Sequence, residues 1–153
     1  MWNPFKRSAD TLLNASDNQL LVEAIQLAEK NTSGEIRVYV ESKLGKGDAL
    51  SRATEIFFKH KMNETKDRNG VLVYVAVNDK KLAIYADQGI YDKMGIEFWY
   101  SQVQEMTGHF KQMNYVVGIS TVIKEIGNAL SANFPYDGAT DTNELSDEIM
   151  IGK

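Results

Sequence analysis

The chain has 153 residues, 43% of them hydrophobic and 25% charged, with a formal net charge of -4 and a pI near 5.2. That is enough chain for one domain with a real core, and its acidity argues against a nucleic-acid footprint, which would be basic and clustered. There is no cysteine, so disulfides, thiolate metal sites and a cysteine nucleophile are excluded, and no apolar run approaches the roughly 20 residues that span a bilayer.

In chain order, residues Met1 to Ala15 show no period and are expected to form an arm, in which Trp2, Pro4 and Phe5 could pack. They lack the apolar core of a signal peptide, and the missing cysteines fit the cytoplasm. Ser16 and Gln19 make a capping-box signature. Leu21, Ala24, Ile25 and Ala28 follow at helical spacing, which predicts a helix from Ser16 to about Lys30. Glu35 to Glu41 alternates. Ile36, Val38 and Val40 should face a core, and Glu35, Arg37, Tyr39 and Glu41 a more polar side. Asp48 is placed to cap a second helix, with Leu50, Ala53 and Phe57 on its inner side, running to about Met62.

Val71 to Val77 is an almost unbroken apolar run, as for a strand buried on both faces. Asn78, Asp79 and Lys80 supply turn chemistry, and Leu82 to Ala86 returns antiparallel. Gly70 and Gly89 bracket this hairpin, where the backbone needs room or a positive φ. A loop is expected over Ile90 to Gly95. Trp99, Val103, Met106, Phe110 and Met113 then mark a third helix. Ile119, Ile123, Ile126 and Leu130 mark a fourth, ending near Phe134-Pro135. The order α-β-α-β-β-α-α predicts a three-layer αβα sandwich around a Rossmann-like mixed sheet, its first two strands parallel through a crossover helix. Residues 16–135 form the domain in this reading. Residues 136–153 form an acidic tail packed on it.

This topology brings strand ends together. Two parallel strands start at one edge of the sheet and the third returns to it, so Glu35, Asp67, Asn69 and Asp87 share a neighbourhood. The tail adds Asp137, Asp141, Asn143, Glu144, Asp147 and Glu148 with no Lys or Arg among them. Several carboxylate and amide oxygens on irregular backbone suit a hard divalent cation, Ca²⁺ before Mg²⁺. The spacing is not that of an EF-hand. Leu145, Ile149, Met150 and Ile151 give the tail apolar anchors, which a freely solvated acidic tail has no use for. The expected ligands are Asp87, Asp141, Asn143 and Asp147 first, then Glu35, Asp67 and Glu148. His60 and His109 lie on different helices without metal-ligand spacing, and no phosphate loop occurs.

The ordered set SGEIRV, RNGVLVYVAV, ADQGI, the Phe98-Trp99 pair, HFKQMNYVVGISTVIKEIG and NELSDEI resembles the TPM-domain family, also called TPM phosphatase, over about Ser16 to Ile151. It looks most like the short stand-alone bacterial type. The resemblance implies an αβα fold with four strands, one more than periodicity finds. The fourth would lie near Ala9 to Leu13 or in the tail. It also implies divalent-cation binding at loops near the sheet edge, as in some members, and a link to weak acid phosphatase activity, as in thylakoid-lumen relatives. Gly70 and Asp87-Gln88-Gly89 match the family pattern. Arg68 stands where many relatives carry an acid.

Three functions follow. The favoured one is a monomeric, metal-responsive regulatory or interaction domain whose protein partner is unknown. The alternative is a weak metal-assisted acid phosphatase, with a cation polarising the phosphoryl group and Arg68 steadying it. The third is a purely structural module.

Overall fold

The computed structural model describes residues 14–136 and 149–152. Five helices and four strands occur among them: α1 (Ala15–Glu29), β1 (Glu35–Glu41), α2 (Ala49–Lys59), β2 (Gly70–Ala76), β3 (Lys81–Ala86), α3 (Gln88–Met94), α4 (Ile96–Lys111), α5 (Tyr115–Asn133) and β4 (Met150–Ile151). The sheet order is β3-β2-β1-β4. β1 is parallel to β2 and to β4, and β2 is antiparallel to β3. The sheet is therefore mixed, with α2 as the β1–β2 crossover.

Alternation along the strands divides the core in two. Ile36, Val38 and Val40 meet Val71, Val73 and Val75 on one face, packed by Leu21 and Ile25 of α1, Trp99 and Met106 of α4, and Ile119, Val122, Ile123 and Ile126 of α5. Leu72, Tyr74, Ala76 and Ala83 pack on the other face against Ala53, Ile56 and Phe57 of α2. This is the expected three-layer sandwich. β2 is buried along its whole length, which is why its run lacks polar interruptions. Each fully buried branched side chain here contributes about 1.5–3 kcal/mol relative to exposure.

The face of β1 expected to be more polar is covered as well. Glu41 is only 3% exposed. Arg52 of α2 donates to its carboxylate from Nε at 2.9 Å and Nη2 at 3.0 Å, and the Tyr74 hydroxyl donates to the same group. Burial, then the bond to Glu41, pushes the Tyr74 hydroxyl pKa up. A charge inside the sandwich is thus paired and hydrogen-bonded, the condition for burying one.

Two elements differ from their sequence-based expectation. Helix α1 begins at Ala15, because Asn14 caps it by accepting from the Asp17 amide at 2.8 Å. Two cap formers lie two residues apart, and the earlier one wins a longer helix. The segment expected as a loop after Gly89 is α3, with Asp87 as its N-cap. The fourth strand implied by the family resemblance takes the second of its two expected places, the tail, where Met150 and Ile151 pair with Tyr39 and Val40. Two residues carry no readable period.

Candidate functional site

The start of β1, the start of β2 and the end of β3 meet at one end of the sheet. The Glu35 amide donates to the Asn69 carbonyl at 3.3 Å, and the Asp87 amide to the Gly70 carbonyl at 2.9 Å. Glu35, Asn69 and Asp87 are buried here, at 2%, 1% and 1% exposure. Asp67 is exposed on the turn leading into β2. The structure therefore brings Glu35, Asp67, Asn69 and Asp87 to one neighbourhood. Asp141, Asn143, Asp147 and Glu148 lie outside the described residues.

Two clusters form within this end. In the first, the Ser33 hydroxyl donates to an Asp67 carboxylate oxygen at 3.4 Å, and Asn69 Nδ2 donates to Ser33 Oγ at 3.2 Å. That orientation leaves Asn69 Oδ1 buried with no donor among the described residues. Ser33 enters the site because its amide donates to the Phe134 carbonyl at 3.1 Å, while Thr32 bridges to Pro135. By sequence alone this segment reads only as a helix stop.

In the second, Arg68 grips Asp87 with both edges of the carboxylate, Nε to Oδ2 at 2.7 Å and Nη2 to Oδ1 at 2.9 Å. Oδ1 also accepts from the Gln88 amide at 2.8 Å. Asp87 is thus a helix cap and half of a forked ion pair, the geometry in which arginine is strongest. A cation taking Asp87 would have to displace this guanidinium. The Asp87 bond and proximity hold the Arg68 pKa above its ordinary value. Arg68 pays a backbone cost for this position, with φ at +51°, a region that side chains other than glycine seldom occupy.

Gly89 locks the two segments together. Its amide donates to the Arg68 carbonyl at 2.8 Å. A Cβ built there would lie 2.1 Å from the Asp67 carbonyl oxygen and 2.5 Å from that of Arg68. Its role is close backbone approach, since no positive φ is recorded for it. The same holds for Gly70, whose added Cβ would meet the Met62 carbonyl at 3.0 Å.

Among the described residues, no group of three His, Cys, Asp or Glu is arranged to hold a metal ion. His60 lies 6.1 Å from the Tyr39 ring and His109 sits 3.4 Å from Glu105 on its own helix, so neither joins the strand-end cluster. No helix among the described residues is long and apolar enough to cross a membrane.

A family model described as the TPM domain matches residues 7–129. No curated protein matches the chain. Among solved structures, the chain is similar to the BA42 protein from the psychrophilic bacterium Bizionia argentinensis. The identity is 42% and the TM-score 0.83, over 92% of this chain and 95% of that one. The N-terminal domain of a P. gingivalis protein is 14% identical at a TM-score of 0.68, covering 80% of this chain and 79% of that one. The N-terminal domain of cg2496 from Corynebacterium glutamicum is 11% identical at 0.64, covering 95% and 93%. The latter two share the fold alone.

Proposed function

The chain belongs to the TPM-domain family, and from that premise we propose that it is a metal-responsive regulatory or interaction domain. A divalent cation, Ca²⁺ in preference to Mg²⁺, binds where the acidic segment meets the strand ends. The carrying observation is that both flanks of residues 137–148 are fixed on or beside β1, the first of them next to this end of the sheet. On one side, the Tyr136 amide donates to the Asn31 carbonyl and Pro135 bridges to Thr32, next to Ser33. On the other, β4 runs parallel to β1 with Met150 level with Tyr39, so the chain entering β4 comes from the Glu35 end. Asp141, Asn143, Asp147 and Glu148 lie between these two flanks in sequence, and the first flank starts beside the end holding Asp67 and Ser33.

Asn69 Oδ1, buried without a donor, is a ready amide ligand beside them. Asp67 supplies a carboxylate and Ser33 a hydroxyl, and Glu35 lies at the same end. Oxygen donors on irregular backbone tolerate calcium's long and variable distances better than magnesium's strict octahedron. Asp87 joins this set only when Arg68 releases it. The two acidic groups repel one another, and a bound cation removes that repulsion.

Binding to the folded state alone stabilises it by about 2.7 kcal/mol at a hundredfold excess over Kd. In a domain of this size that raises the melting temperature by about 5–10 °C. The test is a thermal melt in EDTA and in millimolar calcium, for the unaltered chain and for a D141N/D147N/E148Q variant, which keeps β4. The unaltered chain should gain those degrees and the variant most of them lose. Equal melting temperatures in EDTA and calcium would refute metal binding. A calcium gain that survives in the variant would remove the acidic segment from the site.

A further inference from the structure

The sheet has one long open edge. β3 stands last in the order β3-β2-β1-β4, so only one side of it is paired. The Asp87 amide bonds to Gly70, and Tyr85, Ala83 and Lys81 follow it toward β2 at every second residue. Leu82, Ile84 and Ala86 therefore turn their N–H and C=O groups outward. None of these outward groups has a backbone hydrogen bond among the described residues.

A cavity of about 650 Å³ lies along this edge. Leu82 to Ala86 all line it, although successive side chains point to opposite faces of the sheet. Only a space beside the strand, rather than above or below it, touches all five. Leu50 of α2 borders it from one layer, and Ile96, Trp99 and Tyr100 of α4 from the other. The rim is apolar and open: Leu50 is 54% exposed, Ile96 70% and Tyr100 64%. Three charges line the groove. Arg68 and Asp87 neutralise each other. Asp92 has no ion-pair partner among the described residues.

From these features we infer that this groove binds an extended peptide of a partner protein, which adds to β3 as a fifth strand. Outward N–H and C=O groups at alternate residues are satisfied together only by another extended backbone. The rim on both layers selects apolar side chains at alternate positions, and Asp92 selects a lysine or arginine beside them. Five strand residues span about 17 Å, so the core of the ligand is about five residues long. A second copy of this chain fits less well, because its own β3 lies equally recessed between two helices and carries the same negative groove. The inference is independent of metal binding, which concerns the neighbouring cluster around Asp67.

The experiment selects a displayed library of random ten-residue peptides against the full chain, then measures binding of the enriched peptides by fluorescence anisotropy and amide NMR. The expected consensus alternates apolar residues and carries a basic one. Binding should shift and protect the amides of Leu82, Ile84 and Ala86. The exposed substitutions Ile96→Asp and Tyr100→Asp, whose folding is checked by circular dichroism, should each weaken it at least tenfold. Asp92→Lys should turn the preference from a lysine-bearing peptide to its glutamate counterpart. Failure to enrich any peptide, shifts mapping elsewhere, or unchanged affinity in both rim variants would overturn the inference. So would protection of these amides in the free protein, whether light scattering shows a dimer or deletion of residues 1–13 is needed to expose them. In those cases the groove belongs to a second copy or to the chain's own arm.

Discussion

Replacing Gly89 by alanine sets two physical effects against each other. Gly89 lies in the first turn of α3, where helix propensity alone favours alanine by up to about 1 kcal/mol. The new methyl, however, would sit 2.1 Å from the Asp67 carbonyl oxygen and 2.5 Å from that of Arg68. Both obstacles are backbone, so no rotamer relieves them. Separating the chains to ordinary contact needs a shift of about 1 Å, and overpacking of this kind costs about 1–3 kcal/mol or more. The shift also breaks the Gly89 amide bond to Arg68, worth about 1 kcal/mol. The net expectation is a loss of about 1–3 kcal/mol, or a fall of about 2–12 °C in melting temperature for a domain of this size. Gly108 in α4 is the control, because a Cβ there meets nothing within 4 Å. Gly108→Ala should leave the melting temperature equal or raise it by about 2–4 °C, the propensity gain with no clash. Differential scanning calorimetry on the two variants decides the matter. If Gly89→Ala is neutral or stabilising, the account of Gly89 as a contact point is wrong.

Tyr74→Phe should cost about 1–2 kcal/mol in urea denaturation, since it removes one donor from the buried Glu41 carboxylate while Arg52 remains. Burial first, then Arg37 and Lys59, lowers the His60 pKa. The unfolded chain, with its ordinary value near 6.5, therefore binds this proton more readily than the folded one. His60 thus contributes stability above about pH 6.5 that is lost as pH falls below it. His60→Gln should lose less stability than the unaltered chain between pH 7.5 and 5.5, and identical losses would contradict the shift. Arg68→Ala should lower the melting temperature in EDTA by leaving the Asp87 carboxylate buried without its guanidinium, and a neutral result would show that water replaces it. Hydrolysis of generic phosphate esters should stay below about 1 per second, a limit that a purified sample and a colorimetric substrate test directly.

The strands were legible because their environments are extreme. Val71 to Val77 has both faces buried, and Ile36, Val38 and Val40 show the alternation of a strand with an apolar core face. The polar half of that alternation misled, since Glu41 looks solvated until Arg52 and Tyr74 are seen around it. Those partners lie 11 and 33 residues away, beyond anything local spacing encodes. Helix α3 was hidden by Gly89, which reads as a breaker yet serves a contact that only the fold creates. The Asp87 cap was the available signal for that helix. At the candidate site, the gathering of Glu35, Asp67, Asn69 and Asp87 followed from topology alone. The partition did not: Asp87 goes to Arg68, and Asp67 goes to Ser33. Register can bring residues to one edge, but rotamers and turns decide which of them touch.

The last strand of the sheet has a consequence for biosynthesis. β1 is complete at Glu41, whereas its outer neighbour is not made until Ile151. At about 5–20 residues per second of synthesis, the 110 intervening residues (151 minus 41) take about 5–20 s. β2 arrives far sooner, so for most of that interval β1 is a paired but one-sided edge with free backbone groups. Such edges recruit strands from other chains. A ribosome pausing between residues 86 and 149 would therefore hold a nascent sheet open on β1 as well as on β3. Chaperone dependence should rise with the length of that pause rather than with the stability of the finished domain.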